Sequence, residues 1–284
     1  MRHRPGSKTR TRLWVVAGQR AGSRADWVAT EEPMEIRLVA GGQQRTVAVT
    51  MRTPGGDFEL AAGFLFGEGI VRSREDVLRI SYCLGPPAEQ HYNVVNVELR
   101  SDRLPDLAPL ERHFYTTSAC GVCGRASLEA IRSRGGAPLP DGPRVPVQVV
   151  AALPGTLRSA QGLFGLTGGL HAAALFDPSG KLVAVYEDVG RHNAMDKLVG
   201  WAFLENRLPL RDHLVMVSGR ASFELVHKAV AAGIPVFCAV SAPSSLAVAT
   251  AREFGLTLVG FLRGERFNVY AGSHRIQLSM RVGG

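Results

Sequence analysis

From about residue 162 onward, short β-branched apolar runs alternate with amphipathic stretches, and this alternation constrains the fold more than any other feature of the chain. Residues 181–186, 214–217, 234–239 and 256–262 read as strands, and 191–206, 221–232 and 245–254 as helices. Ala194, Met195, Leu198, Val199 and Ala202 make one core-facing helical stripe, and Leu225, Val226, Ala229 and Val230 another. Gly233 and Gly255 stand where helix ends favour a left-handed residue. Strand and helix in turn imply right-handed crossovers and a largely parallel sheet with helices on its faces, an α/β domain over residues 161–284.

Upstream the pattern differs. Runs at 35–39 and 45–50 join through Gly41-Gly42 as a hairpin. Asp57 is placed to cap a helix whose buried face is Phe58, Leu60, Ala61, Phe64 and Leu65, ended by Gly67 and Gly69. Ser73, Glu75 and Asp76 open a short helix, and 92–99 is a further strand. Residues 26–110 thus form a small α+β region. Periodicity is lost over 101–126 and 134–146, so 111–160 reads as a linker with a mobile cysteine loop, carrying a short helix at 127–132.

The 284 residues, 45% hydrophobic and 20% charged, exclude a collagenous, coiled-coil or wholly disordered chain. The net charge of +8 is concentrated. Arg2, Arg4, Lys8, Arg10, Arg12, Arg20 and Arg24 all precede the first acid, Asp26, so 1–25 reads as a basic flexible arm on a nearly neutral body. That distribution argues against a nucleic-acid partner. No apolar run is long enough to span a membrane or to serve as a secretory signal, and the expected location is the cytoplasm. Cys83, Cys120, Cys123 and Cys238 are there expected to be reduced, metal-bound or reactive.

Cys120 and Cys123 are the strongest chemical signal. They lie two residues apart in a Gly-bordered loop beside Arg125, and a cation together with a following helix start favours the thiolate. A structural zinc site needs further ligands, for which His113 and a distant residue or a dimer mate would be required. A thioredoxin-type centre needs a strand just before the motif, where this chain is polar. A carrier thiol holding sulfur as a persulfide suits an exposed reduced pair best. Chance pairing without function is the remaining reading.

Glu187 to Lys197 follows a strand and opens a helix, and free N–H groups there, with Arg191, His192, Asn193 and Lys197, make an anion site. Ser218, Gly219 and Arg220 repeat the arrangement after the next strand, and Phe261, Leu262, Arg263, Gly264, Glu265 and Arg266 after the last. Three polar turns on neighbouring strands point to one cleft for an anionic, nucleotide-bearing ligand. A capping turn made by Asp188 and ordinary surface turns are the bland alternatives. His171 precedes Ala173 where zinc deaminases carry Glu, so deaminase chemistry is not expected, although His171 can line the pocket.

Taken together, these segments, with Glu32 to Ile36, Met51 to Gly55 and Phe261 to Tyr270, resemble the FdhD family of formate dehydrogenase accessory sulfurtransferases. The resemblance implies a cytidine-deaminase-like three-layer α/β domain without the deaminase zinc, a smaller N-terminal region and a homodimer. It implies a sulfurtransferase that takes sulfur from a cysteine desulfurase as a persulfide. The acceptor would be the bis-molybdopterin guanine dinucleotide cofactor, before its insertion into formate dehydrogenase. By motif position Cys120 would carry the persulfide and Cys123 assist, with residues 261–266 in the cofactor-binding segment and no protein-ligated metal. A cofactor chaperone whose cysteines hold zinc or cycle as a redox pair is the alternative. The role of the Arg-rich arm is left open.

Overall fold

The computed structural model describes residues 6–83, 91–107 and 138–278. The expected Cys120–Cys123 loop and the helix at 127–132 lie outside the described residues. β1 (Lys8–Ala17) and β2 (Arg20–Ala29) pair antiparallel over their full lengths, from Lys8↔Ala29 to Ala17↔Arg20. This corrects the flexible arm. Arginine alternates there with Thr, Leu, Val and Trp, which suit an extended strand, and Gly18 takes the positive φ of 60° that a two-residue hairpin turn requires.

β3 (Glu32–Ala40), β4 (Gln43–Arg52), β5 (Val77–Tyr82) and β6 (Val94–Leu99) form a four-stranded sheet in the order β4-β3-β6-β5. Strands β3 and β4 are the expected hairpin. Strand β5 was not expected, because Arg79 and Ser81 break its apolar pattern. Helix α1 (Asp57–Gly67) lies on this sheet and buries Leu60, Ala61, Ala62 and Leu65. Asp57 is its first residue rather than its cap; the cap is Gly56 at φ 66°.

β7 (Val145–Pro146) leads into α2 (Val147–Ala160) and α3 (Gly162–Thr167), so the second half of the expected linker is helical. Next come β8 (His171–Phe176), β9 (Leu182–Asp188), α4 (Arg191–Leu204), β10 (Leu214–Val217), α5 (Phe223–Ala231), β11 (Val236–Ala239), α6 (Ser245–Glu253), β12 (Thr257–Arg263), β13 (Arg266–Ala271) and β14 (Ile276–Gln277). Six of these strands make one sheet, ordered β13-β12-β11-β10-β8-β9. Only β10, β11 and β12 run parallel; β8, β9 and β13 are antiparallel to their neighbours, which corrects the largely parallel sheet. The cause is the connections. The β8–β9 turn is closed by the Asp177 carboxylate on the Ser179 and Lys181 N–H groups, and β12–β13 by Gly264-Glu265; both are too short for a crossover.

Side chains alternate between the faces of this sheet. Ala173, Leu175, Val215, Val217, Phe237, Ala239 and Leu258 meet α4, α5 and α6. Ala172, Ala174, Phe176, Leu214, Met216, Val236, Cys238 and Val259 meet Val150, Leu153 and Leu157 of α2. The result is three layers, and each fully buried large apolar side chain contributes about 1.5–3 kcal/mol. The two regions join where α1 packs on α4. A Cβ on Gly63 would collide with the Asp196 carbonyl, and one on Gly200 with the Glu59 carbonyl. No helix among the described residues is long and apolar enough to cross a membrane.

This packing sets three expected outcomes. Gly200→Ala is expected to destabilise the fold by about 1–3 kcal/mol, because backbone must move. Gly165→Ala, where a Cβ meets nothing, is expected to stay within about 1 kcal/mol of the parent, as read by urea denaturation. The Cys238 thiol is fully buried and pushed up to about 12 by that burial. It is expected to resist iodoacetamide in the native protein and to react only in denaturant, as followed by peptide mass spectrometry.

Candidate functional site

At one end of the large sheet, the chain leaves β9 at Asp188, whose carboxylate is fully buried. Lys197 of α4 places its Nζ 2.7 Å from Asp188 Oδ2. The same oxygen accepts the Thr53 N–H at 3.1 Å, while Oδ1 accepts the Gly190 N–H at 2.8 Å and Asn193 Nδ2 at 3.0 Å. Lys197 also donates to the Thr53 carbonyl at 2.8 Å, and Asn193 to the Met51 carbonyl at 2.7 Å. A buried charge is tolerable when paired and hydrogen-bonded in this way. The Met51–Thr53 segment, which residue chemistry alone did not single out, is thus fastened to the start of α4.

Three of the expected ligand residues are buried in this structure. Lys197 and Asn193 spend their polar atoms on Asp188 and the 51–53 backbone, so they hold the site's floor. Leu262 is likewise fully buried, on the α2 side of the sheet.

The half-buried and exposed residues form a rim above this floor. β8 begins at His171, which pairs with Asp188, and β10 ends at Val217, which pairs with Ala173; the chain ends of β8, β9 and β10 therefore lie together. Ser218 Oγ accepts the Ala172 N–H at 2.9 Å. A Cβ on Gly219 would stand 3.5 Å from His171 Nδ1, in ordinary contact, so Gly219 lies against the imidazole. Desolvation pushes the His171 pKa below its ordinary 6.5, and the positive charge of Arg191 pushes it the same way. The imidazole is thus neutral at neutral pH. Arg191 Nε is buried and has no hydrogen-bond partner among the described residues. His192 Nε2 lies 3.4 Å from Ser222 Oγ and 3.7 Å from Glu224 Oε2, and the Glu224 carboxyl is pulled down to about 2, chiefly by His192. Ser222 and Glu224 were not expected here; the only hint was their place at the start of α5. Arg220 is exposed.

The third expected turn is reached less directly. β8 lies between β9 and β10, and β11 between β10 and β12, so the three turns are not on neighbouring strands. Ser241 closes the gap: its N–H donates to the Gly219 carbonyl at 3.3 Å, and its carbonyl accepts from Phe261 N–H at 3.2 Å. Phe261 is 40% exposed at φ 52°, a left-handed conformation that a bulky residue rarely holds. Arg263, Gly264, Glu265 and Arg266 are exposed at the tip of the β12–β13 hairpin. Among the described residues no group of three or more His, Cys, Asp or Glu is placed to hold a metal.

This geometry makes two predictions. Asp188→Asn leaves the buried Lys197 ammonium without its counter-charge and is expected to cost about 3–5 kcal/mol in urea denaturation. His171 is expected to titrate below 6.5 by NMR, and Arg191→Met to move its midpoint up, though not fully, since burial remains. The unfolded chain takes that proton more readily, so His171 withdraws stability as pH falls below about 6.5 toward its folded value.

The comparisons agree with this architecture. The family model described as the FdhD/NarQ family matches residues 29–277. The sulfur carrier protein FdhD of Streptomyces coelicolor is 55% identical over 266 residues, covering 92% of this chain and 93% of that one. That of Mycobacterium tuberculosis is 52% identical over 261 residues, covering 89% and 93%. The crystal structure of a putative formate dehydrogenase accessory protein from Desulfotalea psychrophila superposes with a TM-score of 0.73 at 28% identity, covering 95% of this chain and 99% of that one. With the model match spanning most of the chain and relatives this similar along their length, the chain belongs to the FdhD/NarQ family.

Proposed function

We propose that the protein is a sulfurtransferase that receives sulfur from a cysteine desulfurase as a persulfide on Cys120, assisted by Cys123. It delivers that sulfur to the bis-molybdopterin guanine dinucleotide cofactor destined for formate dehydrogenase. The observation that carries this reading is the identity of over half of the residues with proteins named sulfur carriers, along nearly the whole length of both chains. In the first step the Cys120 thiolate attacks the outer sulfur of the donor persulfide. The donor S–S bond breaks, its thiolate leaves, and the sulfur arrives as Cys120–S–SH with no net redox change. The neutral thiol of Cys238 is excluded from such exchange by burial.

The rim supports the anionic half of the reading. The buried Arg191 Nε has no hydrogen-bond partner among the described residues, Arg220, Arg263 and Arg266 are exposed, and Gly219 lies against His171. Phosphate oxygens suit such donors. Arg191, His192, Ser218, Gly219, Arg220, His171, Phe261 and residues 263–266 would face the cofactor, which is the substrate here. We read the three-layer domain as cytidine-deaminase-like and the working form as a cytoplasmic homodimer.

The test is mass spectrometry without reductant after incubation with a cysteine desulfurase and cysteine. A gain of about one sulfur atom on the peptide holding Cys120 and Cys123, abolished by Cys120→Ala, is the expected result. Two thiols holding zinc or closed as a disulfide, with no sulfur gained, would replace transfer by the chaperone reading.

A further inference from the structure

Where α4 and α5 begin, three side chains join the two helices across the rim. His192 Nε2 lies 3.4 Å from Ser222 Oγ and 3.7 Å from Glu224 Oε2. Ser222 is the N-cap residue of α5, and Glu224 stands in its first turn, where a carboxylate suits the helix dipole. The Ser222 hydroxyl and the Glu224 N–H both donate to that carboxylate. Serine, histidine and a carboxylate are the members of a hydrolase triad, but a triad sets the serine on one ring nitrogen and the acid on the other. Here both meet Nε2, so the ring relays no proton between them. Both also accept a hydrogen bond at Nε2, which places the proton of the neutral ring there and leaves a lone pair on Nδ1. Nδ1 makes no hydrogen bond among the described residues, and the ring is half-buried.

We propose that an anionic ligand is bound at His192 together with a proton: Nδ1 takes the proton from solvent as the ligand arrives and donates it to a phosphate oxygen, while Ser222 and Glu224 hold Nε2. The inference rests on the reading of the rim as the site for the guanine dinucleotide's diphosphate. A bare Nδ1 lone pair repels a phosphate oxygen, whereas the protonated nitrogen makes a charge-assisted hydrogen bond to it. Glu224 is a positioning residue in this arrangement. It fixes which nitrogen is left for the ligand, and its carboxyl, pulled down to about 2, is already ionised when the imidazolium forms. The other charged groups facing the ring leave the proton to it. From β8 comes His171, kept neutral by desolvation and by Arg191. On α4 itself stand Arg191, a fixed cation, and Asp196 one turn along, which is buried and committed to Lys228 at 2.6 Å.

The test uses the full-length protein and GDP-mannose, whose diphosphate is a diester like that of the dinucleotide and lacks the monoester oxygen that titrates at about pH 6. Calorimetry at about pH 7.5, in two amine buffers of different protonation enthalpy, counts the protons taken up on binding. The parent is expected to take up about half to one proton per ligand, and to bind about tenfold more weakly near pH 8 than near pH 6. His192→Gln is expected to abolish both the uptake and the pH dependence, and His171→Gln to keep the uptake whatever its affinity. Glu224→Gln removes a carboxylate beside the ring, and its pH profile is expected to move toward acid. Ring nitrogen shifts of the free parent at alkaline pH are expected to show the His192 proton on Nε2. Binding without proton uptake, uptake that persists in His192→Gln, an unmoved Glu224→Gln profile, or a free ring protonated on Nδ1 overturns the proposal and leaves the diphosphate site standing. A parent that binds no GDP-mannose at any pH overturns both. Sulfur loading on Cys120 is read separately and depends on neither result.

Discussion

The buried Asp188–Lys197 pair is the constraint on which the rest of the site depends. Burying either charge alone would carry a desolvation penalty of several kcal/mol. Together, and with the Thr53, Gly190 and Asn193 donors, they form a saturated junction at which β9, α4 and the strand leaving β4 meet. The same strand is held on its other side by Arg52, fully buried, whose guanidinium meets both Asp57 oxygens at 3.2 and 3.1 Å. One short segment, residues 51–53, is thereby clamped between two charged pairs, one in each region. Its position fixes how the N-terminal sheet sits against the start of α4, and so where Arg191 and His192 emerge.

The close approach of α1 and α4 acts with that clamp. Gly63 and Gly200 let the two backbones touch, and Phe66 meets Phe203 nearby in a tilted ring contact, centroids 5.8 Å apart. A second buried pair, Lys228 Nζ to Asp196 Oδ1 at 2.6 Å, joins α5 to the same helix. α4 therefore has polar anchors toward β9, the 51–53 segment and α5 at once. That explains why a helix buried on so many sides carries Asn193, Asp196 and Lys197 in its sequence.

Much of this was legible beforehand, and the reasons are specific. β10 to β12 and their helices were readable because each is apolar on a fixed period, and Gly233 and Gly255 end helices at φ 75° and 70° as their positions imply. The dense polar run from Glu187 to Lys197 marked the buried junction at the start of α4. What it could not show is which side chains face inward, since Lys197 and Asn193 look as available for a ligand as Arg191 until the 51–53 segment arrives from far away in sequence. Strand direction was misjudged where it depends on turn length rather than periodicity, at β8–β9 and β12–β13. The hairpin was missed because its charge is conspicuous and its alternation is not.

The proposed sulfur-carrier role would place two demands on one chain. The thiol that takes sulfur would have to ionise and be reached, and a rim that receives an anionic acceptor would have to keep its cations unneutralised without collapsing. Burial removes Cys238 from the first role: pushed up to about 12, it holds almost no thiolate at neutral pH. The second is met by keeping His171 neutral. Were it charged, it would add a like charge beside Arg191 in a half-buried setting; desolvation and Arg191 itself prevent that. Arg191 then keeps an Nε with no hydrogen-bond partner among the described residues, while His171 offers a hydrogen bond whose direction depends on its tautomer.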